Sequence, residues 1–247
     1  MATNHNLAVV TDVTYIGHSG FAIESGEWTF IFDFYIDESD ILPHILKRSK
    51  NIVFLVSHSH PDHFNPAIFD WHQKYNNITY ILSKDVKAKT KGKILPDSTV
   101  FIHPGDKIDF SNFQVRAFSS TDIGCSFLLS YENRNIFHAG DLNNWNWKEE
   151  STESEIKKAN GDYLHILNTI QEVTNSFNLV MFPVDPRMKK DFFEGAKQFL
   201  ERFFVDNFIP MHFWDDSVLA CDFSLYKSAK CNNYICLSSP GDSIKIE

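Results

Sequence analysis

Four side chains of metal-ligand type fall within six residues of this chain, in Ser57-His58-Ser59-His60-Pro61-Asp62-His63-Phe64. The segment follows Ile52-Val53-Phe54-Leu55-Val56, an apolar run that reads as a buried strand. It precedes Asn65-Pro66, where Asn is a good helix cap and Pro a good first helical residue. The histidines therefore occupy a loop between a buried strand and a helix, where α/β folds place binding groups. In an extended chain, side chains two apart point the same way, so His58 and His60 form a pair able to close on one ion. Pro61 fixes a bend, after which Asp62 and His63 present to a second position. Imidazole with carboxylate suits zinc, manganese or iron better than calcium or magnesium. An ordinary solvated loop is the bland alternative, and the density of ligands argues against it.

The rest of the chain shows no internal repeat, low-complexity tract or linker, so one domain over residues 1–247 is expected. The first third reads as strands at Leu7–Ile16, Phe21–Glu24 and Trp28–Phe34, then a helix at Ser39–Lys50 with Ser39 as cap. After the His-rich loop come a helix from Pro66 to about Tyr75, a strand at Ile78–Leu82, and a lysine-rich stretch, Lys84–Lys93. Its five lysines read as a solvated helix face rather than a phosphate site. Strands return at Thr99–Ile102, Lys107–Phe110, Phe113–Phe118, Cys125–Tyr131 and Asn135–His138. The last third alternates: a helix at Leu164–Phe177, a strand at Leu179–Phe182, a helix at Asp191–Phe204, a strand at Asn207–Met211. Two short strands close it, at Tyr234–Leu237 and Ser243–Ile246. Strands, more strands, then alternating elements predict two packed sheets with helices outside.

Composition sets limits on partners and place. A formal charge of −9 argues against a surface built to neutralise nucleic-acid phosphates. It leaves room for a small anionic substrate, because a metal supplies local positive charge. The first 46 residues carry no Lys or Arg, so no secretory leader is expected. No apolar run approaches the roughly 20 residues of a membrane span. Cys125, Cys221, Cys231 and Cys236 show no CxxC spacing and read as reduced, structural thiols. A cytoplasmic protein is the expectation, with no membrane partner; the oligomeric state is not legible.

Three further stretches end a predicted strand with a ligand type. They are Ile136-Phe137-His138-Ala139-Gly140-Asp141, Phe208-Ile209-Pro210-Met211-His212, and Ser119-Ser120-Thr121-Asp122 after Phe113–Phe118. Loops after strand ends converge on one edge in such folds. Here the sequence resembles the metallo-β-lactamase superfamily of metal-dependent hydrolases. The His-x-His-x-Asp-His motif matches in full, and the later Gly-Asp and strand-end His follow in the family's order. The opening Tyr15-Ile16-Gly17-His18-Ser19-Gly20-Phe21, then Ile31-Phe32-Asp33, looks like the branch of ascorbate-phosphate lactonase and related hydrolases. The resemblance implies an α/β fold, a four-layer αββα sandwich, with one or two divalent ions at the edge between the sheets. Zinc is the expected ion, with manganese or iron as alternatives.

Carried over, the resemblance gives His58 and His60 to the first ion, Asp62, His63 and His212 to the second, and Asp141 as the bridge. The family usually adds a histidine to the first site from the loop that here reads Ser119-Ser120-Thr121-Asp122-Ile123-Gly124. No histidine stands there; Asp122 is the candidate replacement, or the first site is weak or empty. His103 sits in a Pro-Gly turn and is not expected to ligate. An ion of this kind makes water nucleophilic near neutral pH, and the free oxygen of Asp62 would orient that water or take its proton. An ester, lactone, amide or phosphodiester of a small molecule fits this chemistry. A nuclease of the same superfamily and a binding regulator on a decayed hydrolase fold are the alternatives, with redox chemistry at a di-iron site behind them. His18 reads equally as a substrate contact or a hydrogen-bonded core histidine, and Asp33 as a ligand orienter or a turn cap. His138 reads as a partner of a ligand, or as a core or surface histidine. Trp145, Trp147 and Trp214 flank ligand loops and read as packing or as a pocket wall. Arg187 reads as a surface ion pair with Asp185 or Asp191, or as an anion contact.

Overall fold

The structure is a computed structural model that describes residues 11–75, 77–91 and 95–247. Its first half runs β1 (Thr11–Gly17), β2 (Gly20–Ser25), β3 (Trp28–Phe32), α1 (Leu42–Arg48), β4 (Asn51–Val56), β5 (Ile78–Ser83), α2 (Val86–Lys89) and β6 (Thr99–Ile102). Then come β7 (Lys107–Asp109), β8 (Phe113–Ser119), β9 (Cys125–Tyr131), β10 (Arg134–His138), α3 (Glu153–Gln171) and β11 (Ser176–Pro183). The last elements are α4 (Glu194–Arg202), β12 (Phe204–Met211), α5 (Ser217–Ala220), β13 (Cys231–Tyr234) and β14 (Ser243–Ile246). The strands form two seven-stranded sheets, ordered β14-β1-β2-β3-β4-β5-β6 and β13-β12-β11-β10-β9-β8-β7. Each joins an antiparallel part to a parallel one: β3 to β6 are parallel in the first sheet, β10 to β13 in the second. The αββα sandwich expected from the sequence is the observed fold.

Period-2 alternation along β4 shows how the layers are built. Val53 and Leu55 join the core between the sheets with Phe30 and Phe32. Ile52, Phe54 and Val56 point the other way, into a cluster with Leu42, Ile45 and Leu46 of α1. A strand buried on both faces needs the unbroken apolar run that the sequence supplies. On the second sheet, Phe199 of α4 meets Phe137, Phe177, Phe182 and Phe203 at ring distances of 4.6–5.6 Å.

Several boundaries differ from the sequence reading. The helix expected at Leu164–Phe177 starts eleven residues earlier and ends at Gln171, while Phe177 lies in β11. Its first half is mostly polar, so apolar periodicity hides it; the signal was the Thr152–Glu155 capping box that opens it. α1 covers only Leu42–Arg48, and Ser39 does not cap it. Asp37 does that work, accepting the N–H groups of Ile41 and Leu42 at 3.2 and 2.8 Å. The turn from Pro66 is a 3-10 helix ending at Gln73, with Asn65 capping it through Ala67 N–H as expected. α4 stops at Arg202, and Phe204 already belongs to β12. The tail strand is Cys231–Tyr234 rather than Tyr234–Leu237. The lysine-rich stretch yields only α2, with Lys84, Lys87 and Lys89 exposed. The ends of two expected elements, residues 7–10 and 92–93, lie outside the described residues.

The cysteines also correct the reading. Cys221 and Cys236 are joined in a disulfide across a Cα separation of 5.6 Å, and Cys125 and Cys231 are free and buried. The pairing follows from the fold: the turn after α5 returns beside the segment after β13. Disulfides persist in oxidising surroundings, so the inference of a reducing compartment loses its support from the cysteines. Among the described residues no helix is long and apolar enough to cross a membrane.

The phenylalanine cluster sets a measurable expectation. Phe199→Ala should lower unfolding free energy by about 3–5 kcal/mol, read from the midpoint shift in denaturant; a loss below about 1 kcal/mol would show that α4 does not anchor the second sheet.

Candidate metal centre

Strand ends deliver the site. β4 ends at Val56 and is followed by Ser57, whose N–H and Oγ–H both donate to Asp33, each at 2.6 Å. With its hydrogen directed to Asp33, the Ser57 hydroxyl oxygen accepts from His58 Nδ1–H at 2.9 Å. Asp33 Oδ2 also accepts from His63 Nδ1–H at 2.8 Å. On the opposite sheet, His212 follows β12, and its Nδ1–H donates to Asp185 Oδ2 at 3.0 Å. A carboxylate only accepts, so these bonds set the tautomer: His58, His63 and His212 each turn Nε2 inward.

All three Nε2 atoms converge on Asp141. His58 Nε2 lies 3.2 Å from Asp141 Oδ2, and His63 and His212 Nε2 lie 3.0 and 3.3 Å from Oδ1. Asp141 reaches this point because Gly140 turns the chain at φ +54°; a Cβ there would stand 2.8 Å from Ser57 Cβ and 2.9 Å from Cys125 O. His60 Nδ1 faces His58 Nε2 at 3.1 Å and Asp122 Oδ2 at 3.7 Å. On the other side, His18 Nε2 faces Asp62 Oδ2 at 3.3 Å.

The donor atoms fall into three groups able to surround an ion: His58, His60 and Asp141; His18, Asp62, His63 and His212; and Asp33, His58 and His63. The third is better read as support, because Asp33 is wholly buried and its oxygens are engaged by Ser57 and His63 Nδ1. The first two fit a divalent cation on an independent observation. His18 Nε2, His63 Nε2 and Asp141 Oδ1 are buried without a hydrogen-bond partner of proper geometry; His63 Nε2 lies 3.0 Å from Asp141 Oδ1 and shares a donor group with His18. Buried polar atoms are otherwise almost always satisfied, and inward lone pairs on imidazole and carboxylate are the donors zinc, manganese and iron take.

The electrostatics match. Burial alone would raise the Asp141 carboxyl, but the imidazoles of His63, His58 and His212 outweigh it and hold it well below the carboxylate range. Burial likewise opposes ionisation of Asp62, and His18 and His63 overcome it. For His63 burial lowers the pKa, yet the charges of Asp141 and Asp33 prevail and push it up to about 10. His18 is lowered to about 4, mainly by burial.

Every sequence-predicted residue except His138 and Asp33 borders the site directly, at differing depths. Asp33 orients His58 through Ser57 and His63 directly. His138 makes its hydrogen bonds to backbone rather than to a ligand: its Nε2–H donates to Ser19 O at 2.8 Å and its Nδ1 accepts from Gly140 N–H at 3.2 Å, fixing two turns of the site. Asp122 stands near His60 but outside the three groups. Arg187 pairs with Asp185, one of the two partners expected for it, but that carboxylate is buried rather than on the surface and Arg187 lines the cavity at the cluster. Sequence reasoning missed what Asp185 does for His212 and placed His18 only as a substrate contact or core residue. Asp185 ends its strand segment just as His212 and Asp141 do, and that shared position was the available signal.

A cavity of about 410 Å³ opens onto the cluster, lined by His60, Asp62, Asp141, Trp145, Trp147 and Arg187 among others. A second, about 280 Å³, borders it through His18 and Trp214. A larger cleft of about 790 Å³ between β13 and β14 holds none of the ligand groups.

Residues 12–212 match the family model of the beta-lactamase superfamily domain. A UPF0173 metal-dependent hydrolase of Desulforamulus reducens is 26% identical over 144 residues, covering 52% of this chain and 61% of that protein. The chain therefore spans less than two thirds of the length of this relative. Igni18, a metallo hydrolase of Ignicoccus hospitalis, superposes with a TM-score of 0.69 at 15% identity, over 96% of this chain and 99% of that one. CmlA, a diiron β-hydroxylase of Streptomyces venezuelae, gives 0.64 at 12% identity, over 96% of this chain and 54% of that one. At such identities these two structures speak for the fold alone.

The buried charges set a pH dependence for the ion-free protein. His63, raised to about 10, stabilises the fold fully below the unfolded value of about 6.5, and that contribution is lost as pH rises through 10. His18, lowered to about 4, acts at the acid end, where unfolded His18 binds its proton first and stability falls as pH drops below about 6.5. In chelator, the melting temperature should thus fall on both sides of neutrality. His63→Gln should flatten the alkaline limb; an alkaline limb unchanged in that variant would contradict the assignment.

Proposed function

Since the chain belongs to the beta-lactamase superfamily, we propose that it is a metal-dependent hydrolase of a small molecule. One observation carries the reading: Nε2 atoms from two strand-end loops, one on each sheet, converge on both oxygens of the buried Asp141 carboxylate. In this reading His58, His60 and Asp141 hold a first ion, with Asp122 in place of the usual histidine. Asp62, His63, His212 and the shared Asp141 hold a second. Zinc fits these donors, as do manganese and iron.

A divalent cation bound there supplies Lewis acidity, making water a nucleophile near neutral pH and polarising the bond under attack. The chain's own residues do the rest. Asp33, Ser57 and Asp185 accept or anchor the Nδ1–H groups of the three imidazoles, so that Nε2 is the nitrogen presented to an ion; His63, raised to about 10 without an ion, gives up its Nε2 proton as the ion binds. Asp62 is the base: its carboxylate is half-buried, borders the cavity, and accepts a proton from the attacking water. His18 Nε2 stands 3.3 Å from Asp62 Oδ2 in the same donor group and offers the second ion a further ligand. Trp145 holds its place in the wall by donating its indole N–H to Asp141 O at 2.8 Å. An ester, lactone, amide or phosphodiester of modest size fits a cavity of about 410 Å³, and the acidic surface favours a small molecule over a nucleic acid.

Metal analysis of the protein, with and without added zinc or manganese, is the deciding measurement. Two equivalents are expected, falling toward one in Asp122→Ala and toward none in Asp141→Ala. Hydrolysis of a generic lactone and phosphodiester panel should fall by a factor of about a hundred or more in His63→Ala. No metal uptake at micromolar ion would overturn the reading, and unchanged stoichiometry in Asp122→Ala would remove that residue from the first site.

A further inference from the structure

Among the described residues that line the cavity, Arg187 is the one fixed cation. Nearby lysines are engaged elsewhere: Lys148 with Asp191 and Glu194, Lys189 with Glu149 and Glu150. Arg187 is held from two sides. Its Nε and Nη2 donate to the Asp185 carboxylate at 2.5–3.0 Å, and its guanidinium lies over the Trp214 ring at 4.7 Å. Asp185 in turn holds His212, so the guanidinium is positioned from the same carboxylate as a metal-type ligand. This grip takes the Nε/Nη2 edge of the guanidinium and leaves the Nη1/Nη2 edge, on a side chain 51% exposed. Two parallel N–H groups on such an edge match a carboxylate or phosphate fork to fork. Beside it, Trp145 and Trp147 present a wall of two nearly parallel indoles, 14° between planes and 6.0 Å between centroids. Trp147 sits at φ +42°, a conformation bulky residues avoid.

We infer that the substrate is an oxyanion, a carboxylate or phosphate monoester, carried on an apolar or planar body: Arg187 takes the oxyanion end-on and the indole wall takes the body. This rests on the reading of the same cavity as the substrate site. Asp62, Asp122 and Asp141 also face that space, so the anion binds well only once divalent cations offset them. Arg187 is then a specificity-determining residue, and Asp185 positions it.

The test uses binding rather than turnover, so that it does not stand or fall with hydrolysis. Calorimetric titration of zinc-loaded protein with benzoate, phenyl phosphate and neutral benzamide gives the preference for each anion over the neutral ring. Arg187→Gln, compared at equal bound zinc, should reduce that preference about tenfold, with Arg187→Lys between the two. The larger loss, for benzoate or for phenyl phosphate, identifies the oxyanion. In the unaltered protein, phenylglyoxal labelling of Arg187 followed by mass spectrometry should be slowed by the anion and not by benzamide. A preference unchanged in Arg187→Gln, no preference at all, or labelling unaffected by the anions would overturn the inference. Anion preference without hydrolysis of any ester, lactone, amide or phosphodiester would instead leave anion recognition by Arg187 standing and remove the hydrolase reading.

Discussion

A carboxylate buried away from the surface organises the site. Asp33 is fully buried, and a charge in that position is costly unless every oxygen is matched. It is matched by Ser57 N–H, Ser57 Oγ–H and His63 Nδ1–H. Burial would raise its carboxyl, but the surrounding imidazoles of His138, His63 and His58 keep it lowered and ionised. Those three bonds join the end of β3 to the end of β4 and to the far side of the His-rich loop. The orientation of His58 through Ser57, and of His63 directly, both trace to this one residue.

Backbone strain gathers in the same place. His18, Asp33, Trp147, His212 and Trp214 all adopt positive φ without being glycine. Such conformations cost of order 1 kcal/mol or more each and persist only where surroundings fix them. Here the fixing is visible: His212 N–H donates to His18 O across the two sheets at 3.1 Å, while His138 bonds Ser19 O from the second sheet. The β1–β2 turn of one sheet is thereby tied to the strand ends of the other. Ligands borne on such braced turns hold their geometry before any ion arrives, which is what a metal centre needs to select by geometry.

The sequence made the strands and the His-rich loop legible because each rests on local rules: period-2 burial in β4, an Asn-Pro helix start, ligands two and three apart. Asp141 and His212 were legible for the same reason, each ending an apolar strand. What escaped depends on folding distant parts together. Asp185 holding His212, His18 against Asp62, and Ser57 between Asp33 and His58 are contacts between loops, and nothing in the local pattern announces a partner 24 to 44 residues away. The disulfide escaped for that reason too. α3 is the opposite case: its capping box was present in the sequence, and apolar periodicity was the wrong signal to weigh over its polar first half.

The strand order carries a consequence for how the chain assembles. β14 pairs with β1, aligning Thr11 with Ile246, so the first sheet is bordered by residues made after every strand of the second. On the ribosome, β1 to β6 emerge early and lack their edge partner until residues 243–246 leave the tunnel. During that interval β1 presents unpaired N–H and C=O groups to other chains. Speed of translation and early chaperone contact should therefore matter more for the yield of this protein than its finished stability would imply.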